Sequence, residues 1–186
     1  MQLLLAIALF ATLLAQSSPA SVHYASCLLA KSGNTQIVGR VDLREQSGTL
    51  EINLQVDGSK LSLQADSKHG FHVHTYGNIR GSCGSTGGHY NPDDVNHAGP
   101  TDSERHVGDL GNVVTNSSGD IDVRFNDTFA SLVGNKSIIG RSFVLHAGED
   151  DLGKVDNDGS RASGNAGARL ACCVIGWASG SEWTDS

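Results

Sequence analysis

The 186-residue chain carries 13 Lys and Arg against 20 Asp and Glu, a formal net charge of −7. That balance, with no Lys/Arg-rich block to override it, argues against nucleic acid as a partner. The length suits one domain with a full hydrophobic core, and 18% charged residues with 23 Gly argue against a charged helical chain.

In chain order, the first element is MQLLLAIALFATLLAQSSPA. Its apolar run from Leu3 to Ala15 fits the hydrophobic region of a signal peptide and is too short for a membrane span. Ser18-Pro19-Ala20 offers small residues at a cleavage point, with cleavage after Ser17 as the alternative. The expected division is a signal peptide over 1–20 and one domain over 21–186, secreted, with no membrane contact after cleavage. Export makes the cysteines, Cys27, Cys83, Cys172 and Cys173, potential disulfide partners. Cys172 and Cys173 are adjacent and so reach separate partners. Sequons at Asn116, Asn126 and Asn135 agree with export and are candidate glycan sites.

The middle of the chain alternates. Leu50, Ile52, Leu54 and Val56 are separated by polar residues, as are Leu61 and Leu63, and Ile121, Val123 and Phe125. These are half-buried strands, with turns at Gly58-Ser59 and Gly119. Further strands are predicted over 35–42, 70–74, 142–146 and 170–177. The pattern predicts an all-β chain, a Greek-key barrel or sandwich of about eight antiparallel strands. Two stretches, 77–108 and 147–168, are long, polar and glycine-rich; loops of this length are usually functional.

Within the predicted strand at 70–74, His72 and His74 fall on one face because strand side chains alternate. Two imidazoles on one face can grip a metal ion. The first long loop and its end add His89, His97, His106 and Asp109, four nitrogen and oxygen ligands of the kind that suits tetrahedral Zn²⁺. His146 closes a strand beside the second loop and, with His72 and His74, forms an imidazole group that suits copper.

On these residues the chain resembles the secreted Cu/Zn superoxide dismutases. The matching pieces are GFHVHTYGN at 70–78, GGHYNP at 87–92, HVGDLGN at 106–112, FVLHAGEDDLG at 143–153 and GNAGARLAC at 164–172. Together they span nearly all of the chain after its first 20 residues. The resemblance implies one copper on His72, His74, His89 and His146, and one zinc on His89, His97, His106 and Asp109, with His89 shared. It implies that two superoxide ions and two protons become dioxygen and hydrogen peroxide as bound copper is alternately reduced and oxidised, an extracellular antioxidant reaction. Asp150 matches a carboxylate linking ligands of the two metals, and His69 a structural histidine behind the copper. Arg169 matches an arginine that receives the anion, and His89 and Arg169 form the expected catalytic pair. A copper-only enzyme of this type would lack His97, His106 and Asp109.

The resemblance also implies a Cys83–Cys172 bridge and a homodimer or higher homo-oligomer. Two positions depart from the family. Cys173 stands where glycine is common, and with Cys27 at the start of the first strand it suggests a second bridge, Cys27–Cys173. Ala162 stands where a lysine is expected beside Lys154, Asp156, Asp158 and Arg161, so Arg161 is the candidate replacement cation. The acidic end, Ser181 to Ser186, argues against binding of polyanionic sugars through the tail.

Overall fold

The computed structural model describes residues 21–184; the expected signal peptide lies outside them. Nine strands form one antiparallel sheet: β1 (Val22–Lys31), β2 (Ile37–Gln46), β3 (Thr49–Val56), β4 (Lys68–His74), β5 (Asp109–Val114), β6 (Ile121–Asp127), β7 (Ser142–His146), β8 (Arg169–Val174) and β9 (Gly176–Ala178). The strand order is β5-β4-β7-β8-β1-β2-β3-β6, and β9 pairs β1. The two end strands, β5 and β6, are consecutive and meet across the gap, so the sheet curls into a nearly closed barrel. Among the described residues, no helix is long and apolar enough to cross a membrane.

The alternation sets which side faces in. Leu50, Ile52, Leu54 and Val56 of β3 are buried, facing Val41 and Leu43 of β2, and Phe71 of β4 stacks on Phe143 of β7 at 5.0 Å. The turn between β2 and β3 has two residues, Ser47 (φ 53°) and Gly48 (φ 79°). Positive φ at both positions twists the hairpin in the hand that a sheet requires.

Some sequence expectations shift. Leu61 and Leu63 lie in the connection after Gly58–Lys60, partly packed on the core and not in a strand. The run 170–177 breaks at Ile175, separating β8 from β9. Strand β5 has no apolar alternation to announce it, because Asp109, Gly111 and Asn112 occupy it. Cys27 sits in the middle of β1, not at its start.

β8 explains how neighbouring cysteines serve two bridges. Successive strand residues face opposite ways. Cys173 turns into the barrel and bonds Cys27, with Cα atoms 5.7 Å apart. Cys172 turns outward and bonds Cys83 of the first long loop, with Cα atoms 5.8 Å apart. At the other end of the barrel, Trp183 lies between the guanidinium groups of Arg44 and Arg124, 5.0 and 4.9 Å from the ring centre.

Cys27–Cys173 spans 146 residues. Closing so long a loop restricts the unfolded chain, though Cys83–Cys172 already restricts much of it. The double variant Cys27→Ala/Cys173→Ala should therefore fold with the same circular dichroism. Its unfolding free energy should be lower by about 2–4 kcal/mol, read from denaturant midpoints; no loss would show that this bridge adds nothing to stability.

Candidate metal centre

The site is built on the outer face of β4. Phe71 and Val73 point into the barrel, which leaves His72 and His74 on the other face; both are almost fully buried beneath the long loops. β4 lies between β5 and β7, and its register sets His72 opposite Asp109 at the start of β5. His146 ends β7, opposite Arg169 of β8. Loop 77–108 is laced to the end of β4 by backbone bonds from Thr75 N to Gly88 O (2.9 Å) and from Tyr90 N to Val73 O (2.8 Å). Those bonds place His89 beside His74. The bond from His97 N to Arg161 O, 2.8 Å, ties the first long loop to the second.

Two four-residue donor groups result, linked by a smaller set of His72, His97 and Asp150. His72, His74, His89 and His146 form one, and His89, His97, His106 and Asp109 the other; within each, one donor atom per residue lies within 4.8 Å of all the rest. Every residue of both groups is buried.

The hydrogen bonds around the rings show which nitrogens face inward. His74 Nδ1 donates to Gly87 O at 2.9 Å, and His146 Nδ1 to Gly167 O at 3.1 Å. Their Nε2 atoms then both carry lone pairs, and they face each other at 3.2 Å. His72 Nε2 donates to Asp150 at 2.9 Å, while its Nδ1 has no hydrogen-bond partner, and nor does His89 Nε2. In the second group, His97 Nε2 donates to Asp150 Oδ1 at 2.7 Å and His106 Nε2 to Val95 O at 2.9 Å. The Nδ1 atoms of His89, His97 and His106 all turn to Asp109 Oδ1, at 2.8, 2.9 and 3.0 Å. The His97 approach is too poorly aligned to be a hydrogen bond. In the first group ring nitrogens face one another or nothing, and in the second they converge on one carboxylate oxygen; both arrangements suit a metal cation.

Burial sets the ionisation. It pushes His89 down to about 3 and His146 to about 4, and it also lowers His72 and His74. The imidazoles of the first group are thus neutral, the form that binds metal. Burial opposes charge on His97 too, but the adjoining carboxylates of Asp109 and Asp150 outweigh it and raise His97 to about 9. Burial likewise opposes charge on Asp109 and Asp150, and the surrounding histidines overcome it, holding both carboxyls well below the usual range.

The surroundings of the rings include residues that motif reading passed over. Asn112 clamps Asp150 from both sides, accepting from Asp150 N at 2.7 Å and donating to Asp150 O at 2.8 Å. Gly164 has φ 66°, and a Cβ there would lie 1.8 Å from Asp150 Oδ1 and 2.5 Å from His97 Nε2, so only glycine fits. Arg105, buried, pairs with Asp127 and donates to Asp109 O at 2.8 Å. That pair joins residues 22 apart in sequence, which no local pattern reveals. His69 Nδ1 donates to His146 O at 3.0 Å, and the ring lies outside both groups.

Arg169 is half-buried and donates to Cys83 O at 2.9 Å and to Thr86 Oγ1 at 3.0 Å, so the Cys83–Cys172 bridge and the guanidinium share one anchor. Arg161, the candidate replacement cation, is paired: Asp156 and Asp158 each hold its guanidinium at 2.7 Å. Asn116, Asn126 and Asn135 are exposed.

The sequence model of the copper/zinc superoxide dismutase (SODC) family matches residues 37–175. A Cu-Zn superoxide dismutase of Cryptococcus neoformans var. grubii is 49% identical over 144 residues, 77% of this chain and 92% of that protein. An extracellular Cu-Zn superoxide dismutase of Caenorhabditis elegans is 46% identical over 76% of this chain and 62% of that protein. Another, of Drosophila melanogaster, is 45% identical over 78% of this chain and 79% of that protein.

Asp150 touches one histidine of each donor group. Asp150→Asn should therefore weaken metal retention at both groups by about 10- to 100-fold, read by chelator competition with circular dichroism unchanged. Loss at one group alone would show that the carboxylate does not couple them.

Proposed function

The chain belongs to the copper/zinc superoxide dismutase family, and from that premise we propose how its own residues divide the work. Its reaction converts two superoxide ions and two protons to dioxygen and hydrogen peroxide, with electron transfer supplied by bound copper that is alternately reduced and oxidised. His72, His74, His89 and His146 hold the copper; His89, His97, His106 and Asp109 hold the zinc. The observation that carries this assignment is His89 itself, whose Nδ1 meets Asp109 while its unpartnered Nε2 faces the other group. His89 Nε2 is the atom at which a proton can be held for peroxide while Nδ1 keeps its place in the zinc group. Asp150 fixes the orientation of His72 and His97 together, so neither group can turn without the other.

Arg169 receives the anion. At an effective dielectric near 20, unit charges about 4 Å apart interact by roughly 4 kcal/mol, whereas the acids behind the net charge of −7 are spread over the chain and screened by salt. With Arg161 held by Asp156 and Asp158, Arg169 is left with most of the local guidance.

Secretion is part of this reading, supported by the apolar run over 3–15, the two disulfides and the relatives named extracellular. So are glycans at Asn116, Asn126 and Asn135. A homodimer or higher homo-oligomer is supported by exposed apolar side chains on the barrel. Leu28 and Trp177 are 61% and 57% exposed, Leu28 and Ile79 line one hollow, and Val174 lies against Gly77. Sedimentation velocity at micromolar concentration reads the state directly, and a monomer there would remove this part.

Metal-depleted protein should have no dismutase activity, and Cu²⁺ alone should restore much of it near neutral pH; recovery with Zn²⁺ alone would overturn the division of ligands. Arg169→Ala should keep its metals, turn over about tenfold more slowly at low salt, and lose most of its ionic-strength dependence. An unchanged rate and salt slope would reject the role given to Arg169.

A further inference from the structure

We propose that the mature chain has a third metal site, an amino-terminal chelate for Cu(II) or Ni(II) formed by Ser21-Val22-His23. It rests on the reading that export removes residues 1–20 and leaves Ser21 with a free α-amine. A chain that starts with an amine and has imidazole on its third residue can surround one ion with four nitrogens. Here they are the Ser21 amine, the backbone nitrogens of Val22 and His23, and His23 Nδ1. Neither Val22 nor His23 is proline, so both amides have a proton to give up. One proton leaves each amide and one leaves the ammonium, all to solvent, and the two amidate charges neutralise the dication. No electron moves. The planar nitrogen set is the geometry of Cu(II) and Ni(II), not of tetrahedral zinc.

The structure places these three residues where such a site can close. Ser21 and Val22 are exposed, and His23 is half-buried at the start of β1. Ser21 Oγ lies 3.1 Å from His23 Nε2, so the ring lies beside Ser21 and has only to turn to present Nδ1 to the amine. Val22 and His23 pair with Gln46 and Glu45 of β2, and binding must release their amides from that strand end. Strand ends open first. From Tyr24 to Ser26, β1 is held by both β2 and β9, and further on by β2 and β8, so the barrel stays shut. Glu45, across from His23, lines the same small hollow as Ser21 and His23 and adds negative charge beside the incoming dication. His23 takes no part in either donor group on the barrel wall. Its ring centre lies 5.9 Å from that of Trp177, which provides an optical reporter.

Two measurements separate the site from the cleavage beneath it. Amino-terminal sequencing of protein secreted by eukaryotic cells tests the cleavage: Ser21 as first residue supports the proposal, and any other first residue overturns it for the natural protein. The second is independent of processing. Holoprotein prepared to begin at Ser21, its copper and zinc sites filled, is titrated with Ni(II) and separately with Cu(II). One further equivalent per chain should bind, with the visible circular dichroism of a planar nitrogen complex and, for Cu(II), quenching of Trp177 fluorescence. His23→Ala, and the same chain acetylated at Ser21, should lose this equivalent at unchanged dismutase activity. Equal binding by His23→Ala, or no third equivalent in the Ser21 protein, overturns the chelate whatever the signal peptidase does.

Discussion

Two carboxylates and six imidazoles buried against one wall of a barrel require positive charge to join them. Asp109 and Asp150 are 0% and 1% exposed, and a carboxylate removed from water without compensation is disfavoured by several kcal/mol. The protein alone answers only in part. One protonated ring, His97, lies between the two acids, while the neutral rings of His74 and His146 present lone pairs to each other. This unmet demand is what makes the cluster a metal-binding device, and much of the surrounding structure serves to hold it in place.

That holding depends on which groups sit on strands and which on loops. His72 and His74 from β4, His146 from β7 and Asp109 from β5 come from three neighbouring strands whose ladders fix their spacing. His89, His97 and His106 come from a loop, and each is secured by something rigid. The backbone of β4 holds His89, the second loop holds His97, and Arg105, itself pinned by Asp127 of β6, braces the turn that carries His106. Arg105 thus ties the loop to β6, the strand that meets β5 across the gap in the barrel. Gly164 completes the roof by letting the backbone pass where a side chain would push His97 and Asp150 apart.

The sequence made these parts legible to different degrees, for physical reasons. Strands with one wet face announce themselves by alternation, which is why β3 and β6 are read directly. β5 is hidden because its start serves the site: Asp109 faces the metal groups, and the glycine and asparagine after it meet the roof. Leu61 and Leu63 imitate a strand because a short helical turn and a bend can also direct alternate side chains at the core. The metal-directed histidines stand out by composition and by family motif. Their supports do not, since the Arg105–Asp127 pair, the Asn112–Asp150 clamp and the close approach at Gly164 are contacts between distant segments. Arg161 shows the converse limit: its charge is plain in the sequence, but its neutralisation by Asp156 and Asp158 depends on the fold of a six-residue helix, Asp158–Ser163, and the turn before it.

The two disulfides close nested rings in the covalent chain. Cys27–Cys173 encloses residues 28–172, and within it Cys83–Cys172 encloses residues 84–171. All seven side chains of the two donor groups, and Asp150, fall inside the outer ring. A protease that cuts one peptide bond within that ring, even at an exposed loop residue such as Asp93 or Asp94, therefore releases no fragment. The nicked molecule remains a single covalent body, with His89 still tethered to β4, and a clipped chain is distinguishable from an intact one only after its disulfides are reduced.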